Sequence, residues 1–167
     1  KYADIAYKYI GVDIGDGGEG LNITVGNFYE LFGRGLVLKS YEDRNIRIDN
    51  NLLGVKVEGN YKGFTLTALS GSAANINNER QDILHAADLQ YNGFDFIKLG
   101  TTFASNLPPI DGIARTTLAS MRMQPSIWNF DGYAEYGIKS NKDIQSQIFN
   151  DDEWKIGEAF YGSLNFY

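Results

Sequence analysis

Residues two apart in this chain repeatedly share a chemical class, and that period of two constrains the fold more than any other feature. In the clearest stretch Trp128, Phe130, Gly132, Ala134, Tyr136 and Ile138 alternate with Asn129, Asp131, Tyr133, Glu135, Gly137 and Lys139. Side chains two apart lie on one face of a β-strand, so this stretch has one apolar face and one wet face. The period recurs along the chain without matching helical patterns that would cover the apolar faces. An antiparallel sheet closed on itself is therefore expected, with its apolar side in lipid or around a soluble core.

The turn chemistry divides the pattern into strands. Ala3, Ile5, Tyr7 and Tyr9 alternate with Asp4, Ala6 and Lys8 and run into the glycine-rich turn Gly15 to Gly20, after which alternation resumes at Leu21, Ile23 and Val25. This predicts a first hairpin. A strand over Gly35 to Tyr41 and a charged loop over Glu42 to Asn51 are expected next. Leu53, Val55, Val57, Gly59 and Tyr61 then form a hairpin with Phe64 to Ser70 across the turn Tyr61-Lys62-Gly63. Asn75 to Asp82 is polar enough to be a loop. Leu84 to Gln90 and Phe94 to Phe103 flank Asn92-Gly93, a pair that favours a two-residue hairpin turn. A helix over Glu79 to Leu89, with Ile83, Leu84 and Ala87 on one face, is the rival for part of that segment. Pro108 and Pro109 mark a connection, Pro125 punctuates the following hairpin, Asn141 to Glu153 reads as a long polar loop, and a last strand begins near Trp154. About ten strands are expected, with short turns alternating with longer polar loops.

Composition narrows the classes. A chain of 167 residues supports one domain with a sizeable core, and no shift in composition marks a second. The aromatic share is 14%, with eleven Tyr and ten Phe. Such a content suits aromatics placed at a boundary between apolar and wet surroundings. The net charge of −6 repels polyphosphates, so nucleic acid is not an expected partner. With no Cys there are neither disulfides nor thiolate metal sites. No window reaches the roughly twenty apolar residues of a membrane helix, so a membrane location means a barrel. Lys1 to Ile10 lacks the apolar run of a signal peptide, as expected if one has been removed or the chain is part of a larger barrel.

With this pattern the chain resembles part of a Gram-negative outer-membrane β-barrel. The segment Gly26-Asn27-Phe28-Tyr29-Glu30-Leu31-Phe32-Gly33-Arg34-Gly35-Leu36 is similar to one in porin-like barrels of uncharacterised function. The resemblance implies an antiparallel barrel with a lipid-facing band, aromatic girdles and a polar interior. It also implies outer-membrane lipid as a partner, together with small polar solutes, other membrane proteins or the rest of a larger barrel. Such barrels often end on an aromatic in register with the apolar face. Here Phe160, Gly162, Leu164 and Phe166 are in register and Tyr167 is one step off.

Candidate sites follow from the two faces. Lipid-facing or girdle positions are Trp128, Phe130, Tyr136, Trp154, Phe160 and Phe166. Arg34, between Gly33 and Gly35, is aimed into a lumen if the glycines form a bulge, and reaches the aqueous rim if its side chain snorkels outward. Lys39 belongs to a mixed-charge stretch with Glu42, Asp43, Arg44, Arg47 and Asp49. Asp131, Glu135 and Lys139 share the wet face of one strand with Tyr133, as lumen-facing residues do. A catalytic carboxylate pair flanks its substrate instead of lying along one strand, so no glycosidase site is expected there.

Gly15-Asp16-Gly17-Gly18-Glu19-Gly20 has the spacing of a dinucleotide-binding loop. A strand-like segment follows where such a loop needs a helix, and Asp16 and Glu19 repel phosphate. Asp13, Asp16 and Glu19 are weak calcium candidates, because their spacing departs from the EF-hand. The lone His85 excludes a multi-histidine metal site, and Ser70 and Ser72 are not in a nucleophile-elbow sequence. Asn22-Ile23-Thr24 is a sequon that matters only in a eukaryotic secretory chain. No cofactor and no enzymatic activity are expected. The expected function is a passive channel or structural role in the bacterial outer membrane. The rival is a secreted soluble β-sandwich or jelly roll that binds carbohydrate through exposed Tyr and Trp.

Overall fold

The structure, a computed structural model, describes residues 8–16, 19–43, 45, 48–73, 80, 82–107, 115–142 and 154–167, with the backbone alone at Asp16, Ile48, Lys142, Trp154 and Lys155. The described residues are all-β and antiparallel. Strands β1 (Tyr9–Asp16), β2 (Glu19–Phe28), β5 (Leu52–Tyr61), β6 (Phe64–Ala73), β7 (Ile83–Tyr91), β8 (Ile97–Leu107), β9 (Thr116–Ile127), β10 (Phe130–Lys142) and β11 (Trp154–Phe166) form one nine-stranded sheet in that order. A two-residue ladder, β3 (Glu42–Asp43) with β4 (Ile48–Asp49), stands apart. Sheet neighbours are sequence neighbours among the long strands, so every step is a hairpin. The sheet ends at β1 and β11, which do not pair with each other.

The connections sort by length onto two rims. β1–β2, β5–β6, β7–β8 and β9–β10 are joined at one rim, where the links are short. The strand ends joined from β2 to β5, β6 to β7, β8 to β9 and β10 to β11 are at the opposite rim, and they are farther apart in sequence. Turn chemistry explains the two-residue link between β5 and β6: Lys62 (φ 46°) and Gly63 (φ 82°) are both left-handed, as a two-residue turn matched to strand twist requires.

Several local expectations are corrected. Residues 35–41 are not a strand: after Phe28 the chain turns through Gly33 (φ 57°) and Gly35 (φ 86°) and returns, tied by the Leu31–Lys39 bridge. Left-handed glycines suit a turn, and the apolar residues of this stretch pack as a loop instead of pairing as a strand. Asn92-Gly93 is not a two-residue turn, because Tyr91 pairs with Leu99 and the link extends over Asn92 to Phe96. The rings of Phe64, Tyr91, Phe94 and Phe96 form a chain of contacts that organises this longer loop, with centroids 4.5, 5.1 and 5.8 Å apart.

Residues 83–89 belong to β7, so the helix alternative is wrong there; long-range pairing with β6 and β8 overrides local spacing. Pro125 lies inside β9, facing Ile97, where the β9–β10 ladder skips from Ser126–Asp131 to Met123–Ala134. A residue without an N–H fits such a gap. Trp128 is not on a strand face but in the β9–β10 turn, with φ 53° and its side chain fully exposed. The strand expected over residues 3–7, the Pro108-Pro109 connection, Arg44, Arg47, and most of the loops expected at 75–82 and 141–153 lie outside the described residues.

Register divides the sheet into two faces, since residues directly opposite share a side. Ile23, Val57, Ala68, Ala87, Phe103, Ala119 and Ile138 form one row running from strand to strand across the apolar face. Large side chains on this face are exposed from one edge to the other, including Ile10, Val25, Val55, Leu66, Leu89, Phe103, Met121, Ile138, Phe160 and Leu164. The opposite, polar face carries the buried interior. There the loop 29–41 folds down, and Phe32 and Leu38 join Phe28, Leu52, Leu69, Ala86 and Ala104 in a small hydrophobic core near the long-loop rim.

Candidate functional site: the polar face of the sheet

The strands place a buried polar network beside that core. Thr67, Asp88, Thr102, Ser120, Arg122 and Glu135 are all buried, and register brings them abreast on β6 to β10. The Arg122 guanidinium meets the Asp88 carboxylate in a two-pronged pair, Nη1 to Oδ1 at 2.6 Å and Nη2 to Oδ2 at 2.7 Å. Nη1 also donates to Thr102 Oγ1 at 2.9 Å and Nη2 to Gln90 Oε1 at 3.2 Å, while the Thr102 hydroxyl donates to Asp88 Oδ1. A planar guanidinium is suited to this, because its fixed fork matches a carboxylate edge.

The space for it comes from a glycine. Gly100 faces Arg122 across the β8–β9 ladder, and a Cβ there would stand 2.5 Å from the guanidinium carbon. A buried pair of opposite charges is tolerated when the geometry is good and the remaining hydrogen-bond capacity is met, as here.

Glu135 is the second node. Oε1 accepts from the Ser120 hydroxyl at 2.9 Å, and Oε2 accepts from the Tyr133 hydroxyl at 2.6 Å and from the Arg34 backbone N–H at 3.0 Å. Glu135 thus latches the tip of the loop 29–41 onto β10. Gly33 lies against the latch, with room for no side chain: a Cβ would be 2.7 Å from Glu135 Oε2. At the base of the loop, Glu30 pairs with Lys56 on β5 at 2.9 Å. These contacts fix the loop on the polar face.

Toward the short-turn rim the same face opens into a cavity of about 410 Å³. Arg34, Asp95, Lys98, Gln124, Asp131 and Tyr133 are among its lining residues. The Arg34 guanidinium lies over the Tyr133 ring, 5.1 Å from its centroid, an arrangement in which the ring face attracts the cation. Asp131 accepts from the Ser126 hydroxyl. A wall carrying both signs of charge and an aromatic surface can hold a small polar solute through hydrogen bonds and ion contacts.

Of the lumen candidates, Asp131, Glu135 and Lys139 share the polar face of β10, but Glu135 is buried in the latch and Lys139 is exposed farther along the strand. Arg34 is in the loop tip, not in a bulged strand. Lys39 is at the loop's return, its ammonium 4.7 Å from the Tyr41 ring centroid. On the apolar face, Phe130 pairs with Phe166 and Tyr136 with Phe160 across β10 and β11. Trp154 occupies an apolar-face register position in β11, and its side chain lies outside the described residues.

At the glycine-rich turn, Gly15 pairs with Gly20 and a strand follows, so the phosphate-binding reading lacks its helix. Asp13 accepts from Asn22 across that hairpin; the Asp16 side chain is outside the described residues, and among the described residues no group of three or more His, Asp or Glu forms a metal cluster. His85 stands on the exposed apolar face. The residues that carry the network, Asp88, Gln90, Gly100, Thr102, Ser120 and Arg122, had no marking motif. Their signal was opposite charges in the middle of separate strands, which becomes a pair only once register is known.

The chain belongs to a family of unknown function, DUF6029, which it matches over residues 1–167. No curated protein and no solved structure matches it.

Proposed function

We propose that residues 1–167 form wall of an outer-membrane β-barrel with a passive, porin-like or structural role. The apolar face meets lipid, and the polar face lines an interior partly filled by the loop 29–41. The observation that carries this reading is the exposure of large apolar side chains over one whole face of a nine-stranded sheet. In water such a face is a liability far beyond the usual exposed patch, whereas in lipid it is the stable side. Exposed Tyr61, Phe64, Phe94, Phe96, Trp128 and Phe166 gather at the short-turn rim, which suits an aromatic girdle at a membrane surface. Short links on one rim and long ones on the other also fit a barrel.

The polar interior sets the expected activity. With loop 29–41 latched on the polar face, the cavity that Arg34, Lys98 and Asp131 help line is of a size for small polar solutes, whose passage is the expected activity.

Mobility on an SDS gel, with and without boiling, after refolding in detergent and in buffer, tests the assignment. A heat-modifiable band that requires detergent is the expected result. A compact form that refolds in buffer alone would replace it with the soluble carbohydrate-binding sandwich. Tyr136→Arg separates the two further: insertion into bilayers should be lost, and normal insertion would remove Tyr136 from the lipid-facing side.

A further inference from the structure

Two arginines on the polar face, Arg122 and Arg34, are used differently. The fork of Arg122 is fully engaged, by Asp88, Thr102 and Gln90. Arg34 is also fixed in place, but by other means. Glu135 accepts from its backbone N–H, and its guanidinium lies on the ring of Tyr133, a buried side chain whose own hydroxyl is bound to Glu135. Stacking occupies the flat side of a guanidinium and leaves its N–H edge free. Among the described residues nothing accepts a hydrogen bond from that edge.

The other charges of the cavity wall are open in the same way. Lys98, Asp95 and Asp131 join Arg34 around the space of about 410 Å³, and among the described residues none of the four forms an ion pair. One oxygen of Asp131 accepts from the Ser126 hydroxyl, and the other accepts from no described side chain. Cations and carboxylates that face one space and leave each other unpaired are complementary to a ligand carrying both signs. The Gln124 and Asn165 amides, also in this wall, match the donors and acceptors of a peptide group. Other small solutes fit less well. A simple anion meets Asp95 and Asp131, and a simple cation meets Arg34 and Lys98. A sugar ring stacks on an open aromatic face, whereas the guanidinium already lies on that of Tyr133.

We propose that this cavity binds a small zwitterion, an amino acid or a peptide of two or three residues, with its carboxylate on Arg34 and Lys98 and its ammonium on Asp131 and Asp95. A carboxylate edge is the shape that a guanidinium fork meets with two parallel hydrogen bonds. Arg34 is ordered before the ligand arrives, so little of its freedom is lost on binding. The inference names the solute class for the cavity and rests on the reading of that cavity as the solute site.

The probe is L-alanyl-L-alanine, titrated calorimetrically into the full protein folded in detergent, beside the same dipeptide with its carboxylate amidated or its amino group acetylated. Saturable binding of the zwitterion is expected, weakened about tenfold or more by either cap, because each removes a charge-assisted contact. Arg34→Gln keeps the backbone N–H that Glu135 holds. It should weaken the zwitterion by a similar factor and leave the amidated peptide unchanged, whereas Asp131→Asn should weaken the zwitterion and leave the acetylated peptide unchanged. Equal binding of all three peptides would overturn the proposal, as would the absence of saturable binding. Saturable binding of maltose without binding of the dipeptide would replace it with a carbohydrate site. The capped-peptide comparison uses the unaltered protein, so it decides the matter even if a variant does not fold. Planar bilayers separate this from the channel reading: dipeptide binding without conductance keeps the site and removes passage, and conductance without dipeptide binding does the reverse.

Discussion

The two faces of this sheet are built from the same strands but stabilised by different surroundings. On the polar face the protein supplies its own partners: Asp88 is matched by Arg122, Glu135 by three donors, and the core around Leu52 by the incoming loop. On the apolar face the side chains of Phe103, Met121 and Ile138 meet no second layer of the described protein. One face is therefore sensitive to internal geometry, and the other to solvent. The same change in charge should have opposite meanings on the two.

The largest effect is expected at Arg122. Arg122→Ala strands a buried Asp88 carboxylate, which should cost about 3–5 kcal/mol. Denaturant unfolding measures this in detergent and in lipid alike, and a loss confined to one medium would break the distinction between the faces. Phe103→Arg places a charge on the opposite side of the sheet. If its row lies near mid-bilayer, it should cost about 2–4 kcal/mol for folding into bilayers, with a smaller cost in detergent micelles that adapt to the charge. Equal costs in both media would mean that Phe103 faces protein.

Gly100→Ala tests how tightly the interior is fitted. The added methyl meets the Arg122 guanidinium, so a loss of about 1–3 kcal/mol is expected, and Arg122→Ala in the same chain should relieve the clash. Additive losses in the double variant would show that the two do not share space. The smallest effect on stability belongs to Lys98→Gln in the cavity, within about 0.5 kcal/mol. Its readout is ionic selectivity in planar bilayers, which should shift toward cations as one positive charge leaves the wall. Unchanged selectivity in a conducting protein would remove Lys98 from the solute path.

How much of this could be read in advance varies with the kind of signal. The alternation from Phe130 to Ile138 and the Lys62-Gly63 turn were legible because a period of two and a left-handed turn pair are local properties. Asp131, Glu135 and Lys139 were placed together for the same reason. Residues 35–41 were misread because their apolar residues resemble a strand, whereas Leu38, together with Phe32, is buried by packing onto β-strands distant in sequence. Asn92-Gly93 was misread because contacts among Phe64, Tyr91, Phe94 and Phe96 govern the link more than its favoured turn pair does. The Asp88–Arg122 pair spans 34 residues and was invisible without register.

By itself the sequence determined that this protein is a meander of two-faced antiparallel strands, since alternation and turn residues act between near neighbours along the chain. Only the tertiary structure decided which charges meet, that Glu135 holds the Arg34 loop tip, and that Gly100 makes room for Arg122. Those outcomes depend on strand register and on a loop folding across the sheet, and each brings together atoms from parts of the chain that carry no local record of one another.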